Sequence, residues 1–359
     1  MRVLLVLGTS AGGVGRHVHG LASGLVAQGH SVVVACPQDV EDHFRFAETG
    51  ARHVRFTVTD RPHPLRDLRA TSSLGDLLQR ADVVHAHGLR AGALACLAAL
   101  GSQVPVVVTL HNAAPGGRLT GRLYAALERV VARRATLVLG VSADLVDRMA
   151  DLGARVGGVA VIPAPPPRPA TRGRRAVRAE LGVPDGTALL VVVARLAPQK
   201  DLGLLVDALV DPALEGVDLL VAVAGEGPER AGLERRVVDE QVPVRLLGAR
   251  DDVPDLLAAA DVVVSTARWE GQPIGLQEAL HAGAAIVATD VGGTAAVLGD
   301  AAVLVPGGDA AALADGIRLL VTDPAERERR RARSRERARE LPTEADAVAS
   351  ALQVYARVT

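Results

Sequence analysis

Short, nearly continuous apolar runs alternate along the whole chain with stretches in which apolar residues recur every three or four positions. Runs of the first kind predict strands covered on both faces, and the second period predicts crossover helices, so the expected class is α/β with parallel sheets. In the first half strands are expected near residues 3–7, 31–35, 53–58, 83–86, 106–110, 137–141 and 159–162. In the second half they are expected near 188–194, 219–224, 244–247, 262–265, 285–289 and 302–305. The runs 104–110 and 188–193 are almost continuously apolar, as strands covered on both faces should be.

Between the two series lies Pro163-Ala164-Pro165-Pro166-Pro167-Arg168-Pro169, a stiff extended connector followed by a basic stretch from Arg172 to Arg178. It marks a boundary between an expected domain at 1–165 and a second at 166–341, each with its own Rossmann-like sheet. Residues 324–340 form a highly charged helix whose Arg and Glu spacing permits i,i+4 pairs. Residues 343–358 place Ala347, Ala351, Val354 and Val358 on one stripe, which requires a partner surface.

Composition narrows the function. Forty basic against 41 acidic residues give no global attraction for nucleic acid, and no stacking-aromatic signature of RNA binding appears. Cys36 and Cys96 lack metal or redox spacing and read as buried thiols. The apolar start stops at Gly8, too short for a secretory leader or a membrane span, so a cytoplasmic protein is expected.

The sharpest chemical signal is Trp269-Glu270-Gly271-Gln272-Pro273-Ile274-Gly275-Leu276-Gln277-Glu278, two carboxylates eight positions apart across a Gly/Pro turn that opens a helix. The first turn of such a helix offers unpaired N–H groups and the positive end of its dipole, which suits a phosphate. The acids suit hydroxyls attached to that phosphate. Lys200 is the only lysine of the chain and lies with Arg195 on a strand-to-helix loop, where an ammonium and a guanidinium can both meet phosphate oxygens.

With these motifs the chain resembles the retaining, nucleotide-sugar-dependent glycosyltransferases of family 4, whose signature is two glutamates separated by seven residues. The resemblance covers nearly all of the chain. It implies the GT-B fold: two facing Rossmann-like domains, an interdomain cleft, and a C-terminal helix, here 342–359, crossing back onto the first domain. It also implies that Arg195 and Lys200 bind the donor diphosphate, that Glu278 holds the ribose, and that Glu270 contacts the sugar. Pro273, Ile274 and Gly275 would then supply the helix N-terminus, while the turns at Gly225 and Arg250 would lie on the nucleotide side. A divalent cation is not expected to be obligatory.

Further candidates come from strand ends. Gly12-Gly13-Val14-Gly15-Arg16 follows the first strand without the full dinucleotide spacing. It reads either as a tight turn or, through the resemblance, as a loop in which Gly12 and Gly13 meet the donor and Gly13 and Arg16 the acceptor. His111 ends another strand, where ligands of open α/β sheets gather, and the resemblance places a histidine there on the donor sugar. His85 and His87 lie on one side of a strand. Trp269 suits either a sugar face or the core. Arg118, Arg122, Arg129, Arg133 and Arg134 form a cationic helix face, solvated or docked on an anionic membrane or lipid-linked acceptor. Ala164 stands where relatives commonly carry asparagine. A nucleotide-sugar epimerase, a phosphorylase of the same architecture and a non-catalytic nucleotide-sugar-binding subunit are the alternatives.

Overall fold

The computed structural model describes residues 1–10, 12–56, 58, 64–113, 118–164 and 166–359, and the side chains of 64–69 and 118–120 fall outside it. Thr57 of the expected third strand, Pro165 of the connector and the Arg118 side chain therefore lie outside the described residues. The chain divides into two compact units: the first is Met1–Pro163 with Pro342–Thr359, the second Ala164–Leu341.

The first unit is a seven-stranded parallel sheet built from β1 (Arg2–Leu7), β2 (Ser31–Cys36), β3 (Arg52–Arg55), β4 (Val83–His87), β5 (Val106–Leu110), β6 (Leu137–Gly140) and β7 (Val156–Val159). Their order is β3-β2-β1-β4-β5-β6-β7, so the winding reverses between β1 and β4. β1, β4 and β5 are almost wholly buried, as their unbroken apolar runs require.

β3 ends at Arg55, although the Phe56 N–H still bonds the Cys36 carbonyl (2.8 Å). β7 lies three residues earlier than the expected 159–162. Gly157 and Gly158 hid it from hydropathy, yet a Cβ on Gly157 would stand 2.7 Å from the Leu137 side chain, so a bare backbone is what allows this edge to pack.

The second unit is a six-stranded parallel sheet: β8 (Ala188–Val193), β9 (Leu219–Ala224), β10 (Val244–Gly248), β11 (Val262–Ser265), β12 (Ala285–Asp290) and β13 (Ala302–Pro306). The order is β10-β9-β8-β11-β12-β13, with the reversal between β8 and β11. Alternation divides each strand between two cores. Leu189, Val191, Ile286 and Ala288 face one layer of helices, and Leu190, Val192, Val262 and Val287 face the other.

The charged helix Pro324–Glu340 starts on Asp323, whose carboxylate accepts from Ala325 and Glu326 N–H (both 2.9 Å). Its arginines do more than pair with glutamates: Arg330 donates to the Ala302 carbonyl (2.9 Å) and Arg337 to the Val297 carbonyl (2.9 Å). The helix Glu344–Val358 opens with a Thr343–Asp346 capping box and belongs to the first unit. It buries Ala347, Ala351 and Val354, joined by Val348 and Tyr355, while Val358 is only half-buried. Its seat is the helix Gly13–Ala27, where a Cβ on Gly24 would come within 2.4 Å of Val348.

Candidate functional site

Ligands of open α/β sheets bind beyond the carboxyl ends of the strands where the winding reverses. In the second unit that point lies between β8 and β11, and the loops leaving these two strands carry Arg195 with Lys200 and Glu270 with Pro273.

Backbone bonds hold the first of these loops. Ala194 N–H bonds the Ala224 carbonyl (3.0 Å), Leu196 N–H the Glu226 carbonyl (2.9 Å), and Glu229 N–H the Leu196 carbonyl (3.0 Å). The glycine-rich turn after β9 makes this closeness possible. Gly225 has φ +146°, and a Cβ there would sit 1.9 Å from the Ala194 carbonyl oxygen, so no other residue fits.

The second loop is stitched to the first. Thr266 Oγ1 donates to the Lys200 carbonyl (2.8 Å), Gln199 Nε2 to the Trp269 carbonyl (2.9 Å), and Arg268 N–H to the Gln199 carbonyl (2.8 Å). The Lys200 ammonium then pairs with the Glu270 carboxylate. Glu270 is itself buried, and its carbonyl accepts from Gly293 N–H (2.8 Å). Gly292, at φ +53°, would carry a Cβ only 2.0 Å from that same oxygen.

The helix after the turn is Ile274–His281, with Pro273 in an extended conformation at its N-cap. Among the described residues no partner is found for the N–H of Ile274 or Gly275, the orphan donors expected of a first turn. Gly275, Glu278, Arg195, Lys200, Gly225 and Arg250 line one depression of about 350 Å³. Lys200, Glu270, Pro273 and Gly275 also line a smaller space of about 40 Å³ beside it.

The side chains around this depression differ in freedom. Arg195 is exposed and forms no side-chain bond among the described residues. Arg250 is committed, donating to Asp252 (2.7 and 2.6 Å) and Glu180 (2.9 Å), and these carboxylates push its pKa up. Its guanidinium therefore stiffens the turn after β10. Glu278 pairs loosely with Arg168 (3.4 Å), a partner on the proline connector that no spacing rule signals. Trp269 is half-buried beside Gly292.

In the first unit the sheet reverses between β1 and β4, and the loops there carry the other candidates. Gly12 caps the helix Gly13–Ala27, Ser10 Oγ accepts from Gly15 N–H (3.0 Å), and Arg16 is exposed on the first turn. His111 directly follows β5. It does not stand alone: its Nε2 is 3.1 Å from His87 Nδ1, and His17 and His85 complete a cluster of four rings. Burial drives the pKa of His17 down to about 4 and that of His85 to about 3, and pushes His87 and His111 well down, so all four are neutral at physiological pH.

Among the described residues one group, Cys36, Glu41 and His53, has the ligand atoms a metal would need within 4.8 Å of one another. Its members are engaged otherwise. Glu41 accepts from the N–H groups of Phe46 (3.2 Å) and Ala47 (3.1 Å), and His53 Nε2 meets the Cys36 carbonyl (3.2 Å). Arg122, Arg129, Arg133 and Arg134 are exposed on the helix Arg118–Arg134, and no helix among the described residues is long and apolar enough to cross a membrane.

Comparison with known proteins bears on the family and the fold. Residues 12–165 match the family described as a glycosyl transferase 4-like domain, and residues 173–339 match glycosyl transferases group 1. The chain is 30% identical to the glycogen synthase of Mycobacterium tuberculosis, covering 89% of this chain and 84% of that one. It is 32% identical to the D-inositol 3-phosphate glycosyltransferase of Xylanimonas cellulosilytica, covering 77% and 72%. Its backbone follows that of Anabaena HepE, crystallised in complex with UDP, with a TM-score of 0.81 over 99% of this chain and 100% of that one at 18% identity, a likeness of fold.

Proposed function

The chain belongs to glycosyltransferase family 4, with the GT-B fold, and from that premise we propose that it moves a hexose from a UDP- or GDP-linked donor to an acceptor hydroxyl with retention of anomeric configuration. The observation that carries this reading is the depression in the second unit, lined by Arg195, Lys200, Glu278 and Gly275 of the helix Ile274–His281, whose first N–H groups find no partner among the described residues.

Cleaving a glycosyl phosphate builds positive charge on the anomeric carbon and negative charge on the departing diphosphate. Cations and N–H dipoles already in place stabilise that charge without reorganising. In this reading Arg195, Lys200 and the Ile274–Gly275 amides take the diphosphate, and Glu278 accepts from the ribose hydroxyls. The backbone around Arg250 and Gly225 borders the base. Glu270 accepts from a sugar hydroxyl. Its bond to Lys200 orients both groups, and a diphosphate arriving at the ammonium would share it. His111 meets the sugar, and Gly12, Gly13 and Arg16 meet substrate oxygens.

Two carboxylates also occur in retaining hydrolases, where one is the nucleophile. Here Glu270 is neutralised by Lys200 and Glu278 sits on the helix facing Arg168, an arrangement suited to binding. We therefore assign same-face attack, with an oxygen of the leaving phosphate taking the proton of the acceptor. Lys200 and Arg195 do the work that a divalent cation would otherwise do. The exposed arginines Arg122, Arg129 and Arg133 fit an anionic membrane or lipid-linked acceptor, and sedimentation with anionic vesicles at low and high salt tests that part.

The deciding experiment is calorimetry with UDP, GDP, ADP and TDP, followed by product analysis with the sugar donor of the winning base. A single preferred nucleotide and transfer to an added acceptor support the reading, with turnover surviving exhaustive chelation. Free sugar, an epimer or a sugar phosphate as the only product would reject it.

A further inference from the structure

The histidine cluster of the first unit has a directional order. His85 is gripped at both ring nitrogens, Nδ1 by the Tyr355 hydroxyl (2.8 Å) and Nε2 by the Thr109 hydroxyl (2.7 Å), so its plane is fixed. Its ring stacks on His87 with centroids 4.2 Å apart and planes 33° apart, which fixes the second ring in turn. His87 Nδ1 then meets His111 Nε2.

His87 has one further nitrogen, Nε2, which is buried and finds no partner among the described residues. A neutral imidazole carries one proton. Placing it on Nε2 would bury an unpaired N–H, at a cost of roughly 1–3 kcal/mol, even with His111 Nε2–H donating to the bare Nδ1 across the His87–His111 contact. Placing it on Nδ1 leaves only a lone pair at Nε2, and an under-satisfied acceptor is tolerated better than an orphaned donor. His87 is then the donor and His111 Nε2 the acceptor. His111 must in consequence carry its own proton on Nδ1, for which no bond is found among the described residues.

We propose that His87 is a positioning residue for His111: it holds His111 as the tautomer protonated on Nδ1, so that His111 offers a hydrogen-bond donor, and not a base, to an oxygen of the bound substrate. A sugar hydroxyl presenting its lone pair is the chemical class that fits. Tyr355, on the C-terminal helix, belongs to the same chain of support through His85. The tautomer follows from the geometry of the cluster with its rings neutral; its use in sugar transfer rests on the reading above.

The test is nitrogen NMR of the folded, ¹⁵N-labelled full chain, with His111 assigned from His111→Gln. The expected signature is protonation at Nδ1. His87→Leu should release His111 into a tautomer mixture and lower kcat about 10- to 100-fold with nucleotide Kd unchanged. His87→Asn, whose side-chain nitrogen replaces Nδ1, should restore the signature and most of the turnover. Protonation of His111 at Nε2 in the wild-type protein, or a signature indifferent to His87→Leu, overturns the proposal. If the signature moves as expected while His87→Leu and His111→Gln both transfer sugar normally, the tautomer stands and the place of His111 in the reaction falls.

Discussion

The ammonium of Lys200 and the carboxylate of Glu270 are bonded to each other, although 70 residues separate them and each leaves a different strand of the same sheet. The pair joins the two loops that flank the reversal point, and each member is half of a different recognition task. Lys200→Ala should therefore damage nucleotide binding and turnover together, with kcat down about 100-fold or more. It should also lower the melting temperature, since it strands a buried carboxylate. Glu270→Gln should cut kcat while changing nucleotide Kd less than about threefold. Steady-state kinetics beside calorimetry separates these outcomes, and matching losses in both variants would refute the division of labour.

Glu278 and Arg195 are separable by ligand. If Glu278 serves the ribose, Glu278→Ala should weaken a nucleoside diphosphate about tenfold and leave inorganic diphosphate alone, whereas Arg195→Ala should weaken both. Arg168→Ala removes only a loose, exposed partner of Glu278, so its effect on either ligand should stay within about threefold. Competition binding with the two ligands reads all three.

Two glycines hold the site loops at contact distance. Gly225→Ala places a methyl group 1.9 Å from the Ala194 carbonyl and should displace Arg195, reducing nucleotide affinity at least tenfold. Gly292→Ala places one 2.0 Å from the Glu270 carbonyl and should reduce kcat with a milder effect on binding. Both should melt earlier than the wild type, by differential scanning calorimetry.

The histidine cluster makes the first unit sensitive to acid. An unfolded histidine titrates near 6.5, while burial lowers His17 to about 4 and His85 to about 3 in the folded protein. Between those values the unfolded chain binds more protons than the folded one, so stability is full above about pH 6.5 and is lost progressively as pH falls toward 4. His17 alone accounts for up to about 3 kcal/mol of that loss. His17→Phe, which retains a ring of similar bulk without titrating, should reduce the dependence of melting temperature on pH over this window, with His85, His87 and His111 carrying what remains.

Much of this was legible in residue order. The strands β8, β9, β11 and β12 declare themselves through unbroken Val, Leu, Ile and Ala runs, because strands buried on both faces admit little else. β7 did not, because its two central glycines contribute backbone and no hydropathy. At the site, the loop positions of Arg195, Lys200 and Glu270 and the helical position of Glu278 followed from where apolar runs stop and helical periods begin. The Lys200–Glu270 bond and the Arg168–Glu278 pair did not follow, since charges 70 and 110 residues apart carry no mark of proximity. His85 and His87 could be placed on one side of a strand by alternation. Their links to Tyr355 and His111 required knowing which helix covers that side.

The helix Glu344–Val358 completes the first unit, yet the ribosome makes it after every residue of the second. At ordinary rates of synthesis the intervening segment takes on the order of ten seconds or more, during which the helix Gly13–Ala27 presents Gly20 and Gly24 without their cover and His85 lacks the Tyr355 hydroxyl. The second unit can mature on the ribosome as a contiguous piece. The first waits for the tail, so a nascent chain stalled at residue 341 should expose a protease-sensitive amino-terminal half beside an already resistant carboxyl-terminal one.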